Sequence, residues 1–323
     1  MTNYQVYKKT LSFSFVYLFV SLLTLAIVAG FAIGGYFLFN KATDMAILGL
    51  ALGVIIGAII GAGINFLIGN RIKAAWIAMM TKGVVDNELP ESTFKAGFEE
   101  LHGRFGKITV FFMVTNAIKG IFRQIGRSIN RIGTAVGGDT GNTVTSVIDS
   151  AIQTLIGYLC DCCLGYVMYN KDKGVSKAAT EGAVIFFKHG KTLLKNVGRI
   201  FGIGLASLAL IGGLFFLIFY LIFRQFPQVW QNLSLEMIEI AERGEGNMSD
   251  FISNPTNLML FIAGISALLI WSTIHSVLIR PFILVGVLRN YMVVAQKEEL
   301  TDKDFESLEK KSPRFAKLRQ RED

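Results

Sequence analysis

The chain alternates between long apolar stretches and short charged connections. Residues 11–40, 45–70 and 200–223 contain no charged side chain, and residues 258–279 contain only His275 as an ionisable group. A helix needs about 20 predominantly apolar residues to cross the hydrocarbon core of a bilayer. Each of the four stretches is long enough, and together they predict transmembrane helices.

Two weaker apolar segments bring the predicted number of membrane-associated segments to six. The six segments are residues 11–39, 45–69, 107–122, 144–169, 198–223 and 257–292. Lys119 interrupts the third segment, which leaves a short span, a re-entrant segment and an interfacial helix as alternatives for it. The sequence therefore predicts an all-α, polytopic membrane protein, with residues 1–300 as one transmembrane domain with cytoplasmic amphipathic helices. Residues 301–323 are predicted to form a charged cytoplasmic tail.

Charged residues orient this arrangement in the membrane. They make up 17% of the 323 residues, whereas roughly a quarter of the residues of a soluble protein are charged. The net charge is +8. Lys and Arg concentrate before the first span, in residues 71–107 and 171–199, and in the tail. By the positive-inside rule, both termini are predicted to be cytoplasmic, in the plasma membrane. Residues 224–254 are acidic and predicted to be external. Residues 119–131, basic at every fourth position, contradict six spans because they would also be external.

Other classes of protein are not indicated. The net positive charge favours contact with the anionic lipids of the bilayer, and no soluble stretch is large enough for a nucleic-acid-binding domain. Cys160, Cys162 and Cys163 share one apolar helix and the three histidines are scattered, so metal-ligand spacing is absent. No arrangement of catalytic side chains stands out. We expect no enzyme activity, no catalytic residue, no metal and no cofactor.

Glycines recur at a spacing of four in the second apolar stretch. Gly49, Gly53, Gly57 and Gly61 fall on one stripe of a helix, where the missing side chains let a neighbouring backbone approach closely. Tight helix packing is the favoured interpretation, and a pore-lining or hinge role is the alternative.

An internal repeat links the two ends of the chain. Positions 67, 89 and 94 (Leu, Leu and Phe) recur 211 positions later as Leu278, Leu300 and Phe305. Residues 155–157 and 189–190 form part of a middle copy. Repeats in membrane transporters often place the substrate between the copies.

Four short motifs follow one another along the chain in an order that matches a known family. They are Asn87-Glu88-Leu89-Pro90 followed by Leu101-His102-Gly103, Cys163-Leu164-Gly165-Tyr166 with Asp161 before it, residues 179–184 (ATEGAV), and Ser276-Val277-Leu278 ahead of a charged tail. On these motifs, residues 60–310 resemble the choline-transporter-like family, whose eukaryotic members are polytopic carriers. The chain departs from that family at Asn170-Lys171-Asp172 and at Arg280-Pro281, and it has no counterpart of the family's N-terminal half.

The resemblance implies a carrier or channel-like protein for a small polar or cationic solute such as choline or ethanolamine. Asp161, a carboxylate in an apolar helix, would offset the charge of the cation, since ionisable groups in the membrane are functional candidates. Aromatic rings would contact its methyl groups. The candidate substrate-binding residues are Asp161, Tyr158, Tyr166, Trp76, Trp271 and His275, the last as a proton relay.

Structural roles compete with each of these assignments. Asp161 could hydrogen-bond a neighbouring helix, the aromatic residues could be interfacial anchors, and His275 could be a packed helix residue. The rival function is a non-transporting membrane component, either a scaffold that packs through the glycine stripe or a subunit that binds another membrane protein. A homo-oligomer or a membrane-protein partner is therefore possible in this alternative. Neutral polar side chains that converge on one cavity would favour the carrier, and their absence would favour the scaffold.

Overall fold

The computed structural model describes residues 1–43, 46–105, 113, 115–121, 124, 142–193, 197–243 and 253–320. Its helices are α1 (Asn3–Lys9), α2 (Leu11–Thr43), α3 (Ala46–Ile64), α4 (Asn70–Val85), α5 (Thr93–Phe105), α6 (Asn142–Tyr169), α7 (Val175–Leu193), α8 (Val197–Ser207), α9 (Gly213–Phe223), α10 (Pro227–Arg243), α11 (Pro255–Ile274), α12 (Arg280–Ala295), α13 (Asp302–Glu309) and α14 (Pro313–Arg319). The described residues contain no strand, so the all-α prediction is confirmed.

Four continuous helices are long and apolar enough to cross a membrane. They are Leu11–Lys41, Ala46–Val85, Gly202–Phe223 and Pro255–Ala295. These correspond to four of the six predicted segments and give an integral membrane protein. Half of the residues of the predicted segment 107–122 lie outside the described residues. The segment 144–169 lies in α6, in which the structure describes an apolar part at Ile156–Tyr169.

The chain divides into two compact units. Unit 1 comprises Met1–Phe15, Arg71–Phe201 and Arg280–Asp323, and unit 2 comprises Val16–Asn70 and Gly202–Ile279. The predicted tail belongs to unit 1, where the side chains of Leu308, Phe315 and Leu318 are buried. Two of its short helices begin with side-chain caps: Thr301 with Asp304 at α13, and Ser312 at α14. Such caps satisfy backbone N–H groups that have no partner within the helix.

The glycine stripe packs α3 against α2 within unit 2. A Cβ atom at Gly53 would collide with the backbone carbonyl of Phe31, and one at Gly49 would collide with that of Gly35. Gly63, on the other side of the same helix, has open space around it. The stripe therefore serves tight helix packing, as favoured from the sequence, and it is occupied inside the chain.

The internal repeat is visible as a repeat of helices. The π-helical segments Asn65–Gly69 and His275–Ile279 begin 210 positions apart and lead directly into α4 and α12, each of 16 residues. Pro281 lacks the N–H that would bond to the carbonyl four residues earlier, and the wider π turn lies at that point. The third π-helical segment described, Leu208–Gly212, joins α8 to α9.

Candidate functional site

Asp161 lies buried in unit 1 between two basic side chains from other helices. Its Oδ1 atom is 2.7 Å from Nζ of Lys73 on α4, and Nη2 of Arg280 on α12 donates a 2.9 Å hydrogen bond to Oδ2. The Asp161 side chain is 6% exposed, whereas those of Lys73 and Arg280 are 32% and 31% exposed. The carboxylate is thus neutralised from within the protein. We name Lys73, Asp161 and Arg280 the Asp161 cluster.

Small and aromatic residues of α6 make room for the guanidinium of Arg280. A Cβ atom at Gly157 would lie 3.0 Å from Nη2 of Arg280, which is close enough to force a shift. The guanidinium carbon also lies 5.4 Å from the ring centre of Tyr158, in a cation–π arrangement. Gly157 lies one turn before Asp161 and leaves a shallow face beside the carboxylate. Arg280 occupies it.

The helix that carries Asp161 is tied down at its end by Arg104 of α5. Nε of Arg104 donates a 2.7 Å hydrogen bond to the carbonyl of Val167, and Nη1 donates a 2.9 Å bond to the carbonyl of Lys173. Carbonyls of the last helical turn have no partner within the helix, and a cation there also interacts favourably with the helix dipole. Burial lowers the pKa of Arg104. This residue orients α6 and, through it, Asp161.

Tyr166 belongs to a separate polar group in unit 1. Its hydroxyl donates a 2.9 Å hydrogen bond to Oε2 of Glu181, which also pairs with Lys173 at 2.6 Å. Its ring lies edge-on to that of Tyr291, with centres 6.4 Å apart. Tyr291 in turn donates a 2.8 Å bond to the carbonyl of Gly182. These bonds join α6, α7 and α12.

Trp76 is a core residue of unit 1. Its ring is buried and nearly parallel to that of Phe13, with centres 6.1 Å apart and an interplanar angle of 10°. Its indole N–H is buried without a hydrogen-bond partner among the described residues.

Trp271 and His275 lie in unit 2, where they contact each other. Their ring centres are 5.3 Å apart, and the indole N–H of Trp271 donates a 3.1 Å hydrogen bond to the hydroxyl of Ser207. That hydroxyl donates to the carbonyl of Gly204 at 2.7 Å. The six predicted site residues thus divide into four in unit 1 and two in unit 2. Within unit 1, Asp161 and Tyr158 share one neighbour, Arg280.

A cavity on unit 1 was not predicted from the sequence. It has a volume of about 320 Å³ and is lined by Ala78, Met79, Lys82, Asp86, Glu100, Met168, Tyr169 and Lys171. The hydroxyl of Tyr169 donates a 2.8 Å bond to Asp86. Glu100 pairs with Lys171 and, at 3.7 Å, with Lys82. No signal in the sequence could bring these residues together, because they come from three separate helices and the turns that follow two of them.

The partners of Asp161 left a weak signal. Arg280 is the first charged residue after the apolar residues 258–279, and Lys73 follows Arg71 directly after residues 45–70. Basic residues at the ends of spans are common interfacial anchors, so position alone did not single them out. None of the family models, curated proteins or solved structures with which the chain was compared matches it.

Proposed function

We propose that this protein is a non-transporting membrane component. Its apolar helices anchor a polar helical unit, and this polar unit carries the function. One observation carries the proposal: the carboxylate expected to receive a cationic solute, Asp161, already pairs with Lys73 and Arg280. An external cation would have to displace two internal ones. It would also leave both without their carboxylate in a partly buried site, which is costly.

Hydroxyl groups of the apolar helices support the same proposal. Ser21, Thr24 and Thr273 each donate a 2.9 Å hydrogen bond to the carbonyl four residues earlier in their own helix. A solute path needs polar groups that converge on a cavity and remain available to the solute. The hydroxyls of these three residues instead donate hydrogen bonds to backbone carbonyls. The scaffold alternative of the sequence analysis is therefore favoured over the carrier.

Charge distribution supports an orientation for this component. Unit 2 contains only Lys41, Arg224 and Arg243 of the 32 Lys and Arg residues, and unit 1 contains all the others. The positive-inside rule then favours a cytoplasmic location for the segments of unit 1, including both termini, at the plasma membrane. Six spans would keep both termini on the same side as four do, but would place the connection between the third and fourth predicted segments on the external side.

The glycine stripe offers no contact to a partner in this proposal, because α2 already fills it. A second copy or another membrane protein would instead meet the side chains of the apolar helices that face outward. Leu210, Leu214 and Leu217 are more than half exposed on the third of the four apolar helices. A partner in the aqueous phase would contact unit 1.

The second candidate is the carrier of a choline-like or ethanolamine-like cation, and the cavity on unit 1 favours it. Met79, Met168 and the ring of Tyr169 lie beside the carboxylates of Asp86 and Glu100. Aromatic faces with a carboxylate are the chemistry that binds quaternary ammonium ions. A volume of about 320 Å³ is at the lower end of small-molecule pockets.

Uptake by proteoliposomes separates the two candidates. Purified protein is reconstituted, and entry of labelled choline and ethanolamine is measured against protein-free liposomes of the same lipid. Under our proposal, the two preparations take up solute equally, and neither amine raises the melting temperature in a saturable way. Saturable uptake that is lost in Asp86→Asn but kept in Asp302→Asn, an exposed carboxylate elsewhere in unit 1, would replace the scaffold with the carrier. Asp161→Asn is unsuited to this experiment, since it breaks two ion pairs.

A further inference from the structure

The Asp161 cluster has its negative charge inside and its positive charges outside. Asp161 is 6% exposed, while Lys73 and Arg280 each keep about a third of their side chains exposed. Lys119 lies near enough to interact electrostatically with Lys73, and its own side chain is exposed. One carboxylate therefore stands against three cations among these four residues. The surface that they present is positively charged.

From the lengths of two apolar helices, we infer that this surface lies near the edge of the hydrocarbon. Residues 46–69 and 255–279 are about 36 Å and about 38 Å long as helices, at 1.5 Å per residue, and both exceed the roughly 30 Å of a bilayer core. Arg280 and Lys73 follow within four residues of these stretches. A basic residue at this position extends its charged end to the level of the lipid headgroups.

From the charge and the depth together, we propose that Lys73, Arg280 and Lys119 bind the phosphate of an anionic membrane lipid. Clusters of basic residues at the ends of cytoplasmic spans attract acidic headgroups, and Lys and Arg are the usual ligands of phosphate. An ammonium group has three donors, and Asp161 takes only one bond from Lys73, so phosphate and carboxylate can be held together. Asp161 keeps the two cations close together in the absence of lipid. The proposal does not depend on whether the protein transports a solute.

The test is the binding of phosphatidylglycerol to the purified full chain in phosphatidylcholine nanodiscs. The melting temperature is followed as the fraction of phosphatidylglycerol rises, because a ligand of the folded state stabilises it by mass action. We expect a saturable rise, with an apparent affinity that falls about fivefold in Lys119→Gln and in Lys73→Gln. Lys119→Gln leaves both ion pairs of Asp161 intact, so it reports on binding even if Lys73→Gln fails to fold. Lys303→Gln, an exposed lysine on α13, is the matched control with unchanged affinity.

Three outcomes would overturn the proposal. The first is the absence of a saturable rise with phosphatidylglycerol. The second is an equal loss of affinity in Lys119→Gln and Lys303→Gln, which would show a general surface attraction without a site. The third is an equal rise with inorganic phosphate in pure phosphatidylcholine, which would assign the site to a free phosphate ion.

Discussion

Units 1 and 2 both consist of α-helices, but different interactions hold the helices together within each unit. Unit 1 buries large side chains such as Tyr158, Tyr291 and Phe315, and unites its helices by buried ion pairs and hydrogen bonds. Unit 2 leaves side chains such as Leu38 and Leu210 more than 70% exposed. Its α2 and α3 meet through glycines.

We attribute the difference to the two solvents that our proposal assigns to the units, water for unit 1 and lipid for unit 2. In water, removal of apolar surface drives helices together at roughly 25 cal/mol for each Å². Lipid tails are as apolar as leucine, so they provide no such force, and helices associate through close van der Waals contact instead. Both kinds of packing occur along the helix that runs from Ala46 to Val85. Its glycine stripe lies in unit 2, and the buried residues Trp76 and Met80 lie in unit 1.

The largest expected loss of stability follows from breaking the ion pairs of unit 1. Asp161→Asn removes the only carboxylate of the Asp161 cluster and leaves Lys73 and Arg280 to repel each other. Loss of one partner of a buried pair costs about 3–5 kcal/mol, and we expect about 2–3 here because both cations keep some contact with water. Unfolding of the purified protein in mild detergent measures the change. Asp302→Asn, which breaks a bridge at a 91% exposed carboxylate, is the control and should change little.

Failure of Asp161→Asn to lower stability would mean that the cluster does not hold unit 1 together. A compensated variant sharpens the result. Replacement of Lys73, Asp161 and Arg280 together by apolar residues of similar size should recover much of the lost stability, because no charge is then left unpaired. The same triple variant should lose the affinity for phosphatidylglycerol.

The next effect concerns the glycine contact of unit 2. Gly53→Ala introduces a Cβ atom where the carbonyl of Phe31 lies, so the backbones of α2 and α3 must move apart. Overpacking of this kind costs about 1–3 kcal/mol. Thermal unfolding in detergent is the measurement. Gly63→Ala, in the same helix but with open space around it, should be neutral or slightly stabilising, since alanine favours the helix. Equal melting temperatures in the two variants would contradict the observed packing.

A smaller effect is expected for a single hydrogen bond in the core of unit 1. Tyr291→Phe removes the 2.8 Å bond to the carbonyl of Gly182 but keeps the ring. The carbonyl is then buried without this donor, and the cost is about 1–2 kcal/mol. Denaturant unfolding can resolve it. Tyr4→Phe, at a 62% exposed position, is the matched control. An unchanged stability in Tyr291→Phe would show that water or another group replaces the bond.

The smallest effect is a dependence on pH at the start of α13. The backbone N–H and hydroxyl of Thr301 and the ammonium of Lys188 lower the pKa of Asp304 to about 2. Because this pKa is below that of the unfolded chain, about 3.9, the carboxylate stabilises the fold above pH 4 and loses this contribution as pH falls towards 2. Lys188 and His189 also lower the pKa of Glu298, with the same sign.

Melting temperatures of the wild type and Asp304→Asn between pH 7 and pH 2 test this dependence. The gap between them should be constant above about pH 5 and close as the solution becomes more acidic. A gap that widens in acid would reverse the assigned sign. Glu306→Gln, at an exposed position of the same helix, provides the comparison.

Much of the fold could be read from the chain because its signals are local. Uncharged runs such as residues 200–223 can satisfy their backbone groups in lipid only as helices, so their length alone predicts spans. Ile156–Tyr169 is also apolar, but most of its side chains are buried within unit 1. An apolar helix buried in protein and one buried in lipid have similar compositions, so composition does not distinguish the two for this segment.

The sequence by itself determined the class of the protein, the glycine spacing and the excess of basic residues in the connections, because each is a property of neighbouring positions. It also singled out Asp161 as a costly charge in an apolar helix. Only the tertiary structure decided what that charge does. Arg280 lies 119 positions from Asp161, and no local pattern specifies which helices will pack side by side. The sequence predicted that this carboxylate receives a cationic solute. In the structure it pairs with two cationic side chains of the same chain, Lys73 and Arg280.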